Sequence, residues 1–259
     1  MNASPDEDAV VVTRDGEVLI VRLNRPAARN AISLALARGV SAAMDQLDGD
    51  PTLRAGLLFG TGVGFCAGMD LKALLRNELS FTERGFGGIT LKPPNKPMVA
   101  AIEGFALAGG LELALSCDLI VAARGALLGI PEVKRGLVAA GGGLMRLARR
   151  IPYHVAMHLA VTGEPISAER AYDVGLVNEL CEAGQAFEHG LALARLVAAN
   201  APLAVQASKA IVRDALDLDE AAGWELQDRV GMPVIHETED AKEGPLAFAE
   251  KRPPVWKGR

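Results

Sequence analysis

The chain is predicted to be an α/β protein on three observations. Strand-like and helix-like segments alternate, two glycine-rich loops each join a strand to a helix, and the pattern turns mainly helical from about Leu144 onward. Alternation of strands and helices calls for crossover connections.

The elements follow in order. Val10-Val11-Val12-Thr13 and Val18 to Leu23 flank Asp15-Gly16, a strong turn dipeptide, and read as a hairpin. Ser33 is placed to cap a helix with an apolar face of Leu36, Val40, Ala43, Met44 and Leu47, and Gly49-Asp50-Pro51 ends it. Ala55 to Phe59 reads as a short buried strand. It leads into the loop GTGVGFCAGMD, from Gly60 to Asp70, and Leu71 to Leu79 reads as helix. Residues 80 to 96 are rich in Gly and Pro and are expected to be mobile. Pro97 to Ile102 is the next strand, and Glu103 to Ala108 turns the chain. Gly109-Gly110 opens a helix containing Glu112, and Asp118 to Ala123 is a further strand. Pro152, Pro165 and Pro202 punctuate the helical remainder, and the helix before Pro202 carries an apolar stripe at Phe187, Leu191, Ala194 and Ala198. A boundary near Asn200-Ala201-Pro202 divides the chain into a core, residues 1–200, and a helical C-terminal part, residues 201–259.

Composition narrows the functional classes. Aromatic residues are only 4 % of the chain while 50 % is hydrophobic, so Ala, Val, Leu and Ile must fill the core. The formal charge of -5 without a basic cluster gives no electrostatic case for nucleic acid or an anionic membrane. No apolar run approaches the ~20 residues that a bilayer span needs. The opening MNASPDEDAV carries Asp6, Glu7 and Asp8 where a transit peptide carries Arg, and it has no apolar signal core, so a cytoplasmic location is expected. The three cysteines, Cys66, Cys117 and Cys181, show no CxxC spacing, which argues against disulfides and a cysteine zinc site. Cys66 lies in a glycine-rich loop, but with no histidine near it in sequence it reads as a bystander thiol rather than a nucleophile. His154 and His158 share a helix face without HExxH or an added carboxylate, so no metal site is expected.

The chemistry concentrates in EGFALAGGLELALSCDLI. Gly109 and Gly110 lack Cβ atoms and open a helix, so unpaired N–H groups are available to an anionic oxygen. Glu112 follows within the first turn. The same glycines would also serve tight helix–strand packing, with Glu112 merely complementing the dipole. The loop ending in Ala67-Gly68-Met69-Asp70 supplies backbone amides at another strand-to-helix junction. One amide from each junction could converge on one oxygen. A dinucleotide-binding reading of Gly60-Thr61-Gly62 is weak: the fingerprint is incomplete, and no acidic-ended strand follows about 20 residues on. Glu132, after Ile130-Pro131 and before the run Gly141-Gly142-Gly143, joins the site only if the fold returns it to Glu112.

Taken together, these segments resemble the crotonase (enoyl-CoA hydratase/isomerase) superfamily. The matching phrases are LNRPAARNAIS, GFCAGMDL, KPMVAAIEGFALAGGLELALSCDLIVAA, GIPEVKRGL with its following glycines, TGEPISAERAYDVGLVNEL and TEDAKEGPLAFAEKR. They occur in the family's order and cover nearly the whole chain after about residue 10. The resemblance implies a crotonase-like ββα spiral core with a C-terminal helical trimerisation region, and a homotrimer or dimer of trimers. It implies an acyl-CoA thioester substrate, with coenzyme A part of that substrate and no separate cofactor. The donors to the thioester oxygen would be the N–H groups of Ala67 and Gly109, within a substrate site of Ala67, Gly68, Met69, Asp70 and Gly109. Glu112 and Glu132 match the two glutamates of the hydratase branch, implying addition of water to a 2-enoyl-CoA in fatty-acid or related degradation. By the same resemblance, Glu112 activates water and Glu132 protonates Cα. Arg25, Arg29 and Lys72 would lie near the CoA phosphates, and Phe81 and Phe86 near the acyl chain. Two positions depart from the family pattern: Ala108 replaces the first of three glycines, and Met69 replaces a small residue. The rival readings are a crotonase-fold isomerase using chiefly Glu132, a non-catalytic acyl-CoA binder and, more remotely, a nicotinamide-dependent dehydrogenase.

Overall fold

Gly16 adopts φ +55° in the two-residue connection that turns β1 (Val10–Asp15) back onto β2 (Val18–Leu23), pairing Asp15 with Val18. The coordinates are a computed structural model describing residues 8–259; Asp6 and Glu7 of the opening segment lie outside them. Ser33 caps α1 (Leu34–Gly49), its Oγ accepting the Leu36 N–H at 3.2 Å. The buried side of α1 carries Leu36, Val40, Ala43, Met44 and Leu47, as the spacing predicts. Next come β3 (Ala55–Gly60) and α2 (Leu71–Leu75), which is shorter than the expected helix to Leu79. Asp70 caps α2 by accepting from Lys72 and Ala73, but with five residues the helix stops at Arg76.

The Gly/Pro-rich stretch is a correction. Rather than trailing as a loop, it forms a small ribbon of β4 (Phe81–Thr82) and β5 (Gly85–Phe86), with Phe86, Ile89 and Thr90 buried. Arg84 anchors it to α1 by salt bridges to Asp45 and Asp48.

The chain then runs β6 (Met98–Ile102), β7 (Phe105–Leu107), α3 (Gly109–Ala114), β8 (Leu119–Ala123) and β9 (Leu127–Gly129), followed by a 3-10 turn, Pro131–Arg135. Residues 105–107, expected to be part of a turn, are therefore a strand. After them come α4 (Gly143–Arg150), α5 (Tyr153–Thr162), β10 (Ile166–Ser167), α6 (Ala168–Asp173), β11 (Glu179–Cys181) and α7 (Ala186–Ala198). Last are α8 (Pro202–Asp214), α9 (Glu220–Glu237) and α10 (Asp240–Glu250).

The main sheet has the order β1-β2-β3-β6-β8-β11 and is parallel except for β1. Alternation along its strands separates two cores. Leu19, Val21, Leu58, Ala100 and Ile120 face the larger core with α1, while Val18, Ile20, Leu57, Val99 and Val121 face α7. A second layer consists of β9 flanked by parallel β7 on one side and antiparallel β10 on the other. Isolated parallel bridges extend the same pattern: Ile32 pairs with Met69, and Cys66 with Ala106.

The chain thus repeats one path. A strand of the main sheet is followed by a short extended segment in the second layer and then by a helix or helical turn. Successive passes run through residues 18–49, 55–75, 98–114 and 119–135. This is the ββα spiral. It explains how residues 67, 109 and 132, far apart in sequence, come to equivalent corners of adjacent passes. Among the described residues no single helix is long and apolar enough to cross a membrane.

Candidate active site

Three corners form the site: Cys66-Ala67-Gly68, Ala108-Gly109, and Ile130 to Glu132. Main-chain bonds join them. The Leu107 N–H donates to the Cys66 carbonyl at 3.0 Å, and the Ala108 N–H to the Gly129 carbonyl at 2.8 Å. The contact between the first two corners admits no extra atom. A Cβ on Gly110 would lie 2.2 Å from the Cys66 oxygen, and one on Gly68, at φ +97°, would lie 3.1 Å from the Gly109 nitrogen.

The two amides singled out in the sequence differ in their present partners. Among the described residues nothing accepts the Gly109 N–H, which stands at the first turn of α3. The Ala67 N–H donates to the Arg29 carbonyl at 3.0 Å. Ala108, just before Gly109, has φ 53° and ψ −130°, a conformation normally left to glycine. Its departure from the glycine pattern is therefore felt in the backbone, beyond any narrowing of the pocket.

Glu112 is 2 % exposed, and its Oε1 accepts the Gly143 N–H at 2.9 Å. The run Gly141-Gly142-Gly143 makes room for it: a Cβ on Gly141 would fall 2.6 Å from Oε2, and one on Gly143 3.0 Å from Cγ. Burial raises the pKa of Glu112, while the Gly143 and Gly141 N–H groups and the Arg146 charge pull it back. Glu132 lies in the 3-10 turn, and its Oε2 is buried without a hydrogen-bond partner among the described residues. Burial, followed by the charge of Glu112, pushes its pKa up to about 7, against the pull of its own backbone N–H. Glu132 therefore lies within reach of the charge of Glu112. One carboxyl is hydrogen-bonded as an anion would be, and the other is held close to half protonated at neutral pH. Such a pair is suited to moving protons between a water and a neighbouring carbon.

The other singled-out residues have definite places. Met69 is half-buried and packs against the larger core. The Asp70 carboxylate caps α2 and pairs with Arg25 at 3.2 Å, and Arg25 also donates to the Ala31 carbonyl. Arg25 thus braces the loop, while Arg29 and Lys72 are exposed. Phe86 reaches the site, since a Cβ on Gly109 would meet its ring edge at 2.5 Å; Phe81 is 49 % exposed. Cys66 is buried, its thiol pushed up to about 12 and donating to the Asn30 carbonyl, which leaves it without nucleophilic character at neutral pH. His154 and His158 lie in α5, and the described residues contain no cluster of three or more metal-binding side chains.

Sequence reasoning noted Gly141 to Gly143 without giving them a role, and it missed Asn30 and Arg146. Asn30 is fully buried. It accepts the Arg25 N–H at 2.9 Å and donates to the Thr61 and Gly64 carbonyls at 2.9 and 3.0 Å, tying two loops together. A run of three glycines before a helix was the available signal for the cradle of Glu112.

Known proteins resemble this chain in sequence and fold. The enoyl-CoA hydratase/isomerase family model matches residues 13–259. Enoyl-CoA hydratase EchA19 of Mycobacterium tuberculosis (strain ATCC 25618 / H37Rv) is 40 % identical over 267 residues, covering 100 % of this chain and 99 % of that protein. Carnitinyl-CoA dehydratase of Proteus mirabilis (strain HI4320) is 40 % identical over 257 residues, covering 96 % and 98 %. The crystal structure of enoyl-CoA hydratase from Mycobacterium tuberculosis H37Rv superposes with a TM-score of 0.95 at 52 % identity, covering 98 % of this chain and 100 % of that one. The chain belongs to the enoyl-CoA hydratase/isomerase family and has the crotonase fold.

Proposed function

We propose that the protein is an enoyl-CoA hydratase that adds water across the 2,3 double bond of a 2-enoyl-CoA, giving a 3-hydroxyacyl-CoA in fatty-acid or related acyl-CoA degradation. The observation that carries this reading is the unequal pair of carboxyls, Glu112 held by N–H groups and Glu132 with a buried, unpartnered oxygen. The thioester carbonyl binds at the Gly109 N–H, with the Ala67 N–H as second donor once it is shared with or released from the Arg29 carbonyl. As water attacks Cβ, the electron pair of the double bond moves toward the carbonyl, and these donors meet the negative oxygen. One such donor is typically worth about 3–4 kcal/mol in the transition state. Glu112, the better stabilised anion, takes a proton from the water, whose oxygen bonds to Cβ. Glu132, the more easily protonated group, delivers a proton to Cα. The conjugated thioester is already an electrophile, so the reading calls for no metal or redox cofactor. Ala67, Gly68, Met69, Asp70 and Gly109 make up the proposed substrate site, with Asp70 acting through Arg25 and the cap of α2.

Residues 201–259 are proposed to be the oligomerisation region of a homotrimer or dimer of trimers. Trp224, Ile235 and Phe248 are 59 %, 61 % and 88 % exposed on the single chain, an apolar surface suited to burial against another copy. A monomeric mass in solution would refute that part.

The deciding experiment follows loss of 2-enoyl thioester absorbance with crotonyl-CoA and longer homologues, comparing wild type with Glu112→Gln and Glu132→Gln. Because some relatives are named carnitinyl-CoA dehydratases, the assay also offers carnitinyl-CoA for dehydration. Both variants are expected to lose about 100- to 10,000-fold in kcat while still binding CoA esters. Loss with Glu132→Gln alone, together with turnover of 3-enoyl-CoA, would replace this reading with the isomerase. Ester binding without turnover of any of these substrates would indicate a non-catalytic binder.

A further inference from the structure

Arg146 lies one turn into α4, directly after the glycines that cradle Glu112. Its guanidinium is half-buried and donates in two directions. Nη1 reaches the Gly141 carbonyl at 3.2 Å, and Nη2 reaches the Thr90 carbonyl at 2.5 Å. Gly141 is the residue whose missing Cβ leaves room for Glu112 Oε2, and Thr90 is buried in the ribbon segment that brings Phe86 over Gly109. One planar cation therefore joins the wall beside the carboxylate to the wall over the Gly109 amide. No main-chain hydrogen bond runs between residues 80–92 and 141–143 among the described residues.

We propose that Arg146 is a positioning residue of the hydration reaction, clamping the Gly141–Gly143 cradle to the 85–91 segment so that the Glu112 carboxylate stays aligned with the thioester site. The inference rests on the hydratase reading for its substrate, but not for its geometry. Two carbonyls on different segments need two divergent donors, which a guanidinium provides in a fixed plane and an ammonium does not. The same cation also biases Glu112 toward its anion. The charged groups acting on that carboxyl or acted on by it are Glu132 from the 3-10 turn and Arg146 from α4, and Arg146 in turn faces Arg150 of α4 and the Cys117 thiol beyond the end of α3. Of these, Arg146 is the cation acting on Glu112.

The test compares wild type, Arg146→Met and Arg146→Lys with crotonyl-CoA across pH. In parallel, the Glu112 carboxyl is titrated by carbon NMR on glutamate-labelled protein, assigned with Glu112→Gln. Arg146→Met is expected to lower kcat about 10- to 100-fold with KM little changed, as a small misplacement does, and to move the Glu112 titration upward. Arg146→Lys is expected to restore the titration but only part of kcat. A loss of kcat that follows the loss of folded protein, with the Glu112 titration unmoved, would make Arg146 merely structural and overturn the proposal. If wild type hydrates no ester, the hydratase reading fails by itself, and the carboxyl titration still decides whether Arg146 acts on Glu112.

Discussion

The charge of Glu112 adds to burial in raising the pKa of Glu132 to about 7. The coupling has a consequence for stability that can be separated from catalysis. A carboxyl whose folded pKa exceeds its unfolded value binds its proton more tightly in the folded state. Its contribution is fully present below about 4.5, the ordinary glutamate range, and is lost as pH rises through about 7. Glu132→Gln is therefore expected to raise Tm by about 2–4 °C at pH 8, with the gain vanishing near pH 4.5. Calorimetry of both proteins at the two pH values checks this. An equal effect at both pH values would mean that ionisation of Glu132 is not its source.

Activity should respond to the same proton. With Glu132 as the acid, kcat/KM should fall above about pH 7 as the carboxyl ionises. Below that, activity should fall as Glu112 becomes protonated, at a pH above the ordinary glutamate range. The two limbs belong to the pair as a whole. A profile flat from pH 6 to pH 9, measured under kcat/KM conditions, would contradict the assignment.

The glycine cradle is testable without touching either glutamate. Gly143→Ala puts a methyl 3.0 Å from Glu112 Cγ, and Gly141→Ala puts one 2.6 Å from Oε2. Each should lower kcat by about 100-fold through displacement of the carboxylate, with the larger effect at Gly141. Steady-state kinetics on folded variants gives the answer.

At Ala108 the expected change is a gain. Its φ of 53° with ψ of −130° suits glycine, so Ala108→Gly should stabilise the fold by about 1 kcal/mol. Denaturant unfolding measures it, and a loss of stability would show that the methyl packs more favourably than the backbone is strained.

Asn30→Ala should be costly. It leaves the Arg25 N–H and the carbonyls of Thr61 and Gly64 without the buried amide that now satisfies them. It also keeps a side chain at φ 55°. A loss of about 2–4 kcal/mol is expected from urea unfolding.

The sequence made the periodic elements legible wherever local rules decide them. Ser33 before an i, i+3, i+4 stripe specifies α1, and Asp15-Gly16 between alternating valines specifies the hairpin. The segment 80–96 misled because glycine and proline suggest a loose chain; what orders it is tertiary, namely Arg84 on α1 and Phe86 against Gly109. Residues 105–107 were missed as a strand because three residues carry no readable period. Glu112 and Glu132 were legible as types in motifs, but their inequality was not. It depends on Gly143 reaching one carboxylate while Oε2 of the other has no partner among the described residues, a relation between passes of the spiral that no local window contains.

The corners of the candidate site are pinned to one another through peptide groups, Leu107 to Cys66 and Ala108 to Gly129. Peptide groups are common to every amino acid. The frame that aims the Gly109 amide is therefore largely insensitive to side-chain replacement, provided that the glycines at its tight contacts remain. Exchange of the acidic residues at positions 112 and 132 is expected to leave it standing, since neither side chain takes part in those bonds. A scaffold of this kind can outlast its original reaction, keeping a grip on a thioester while the groups beside it are rewritten for another.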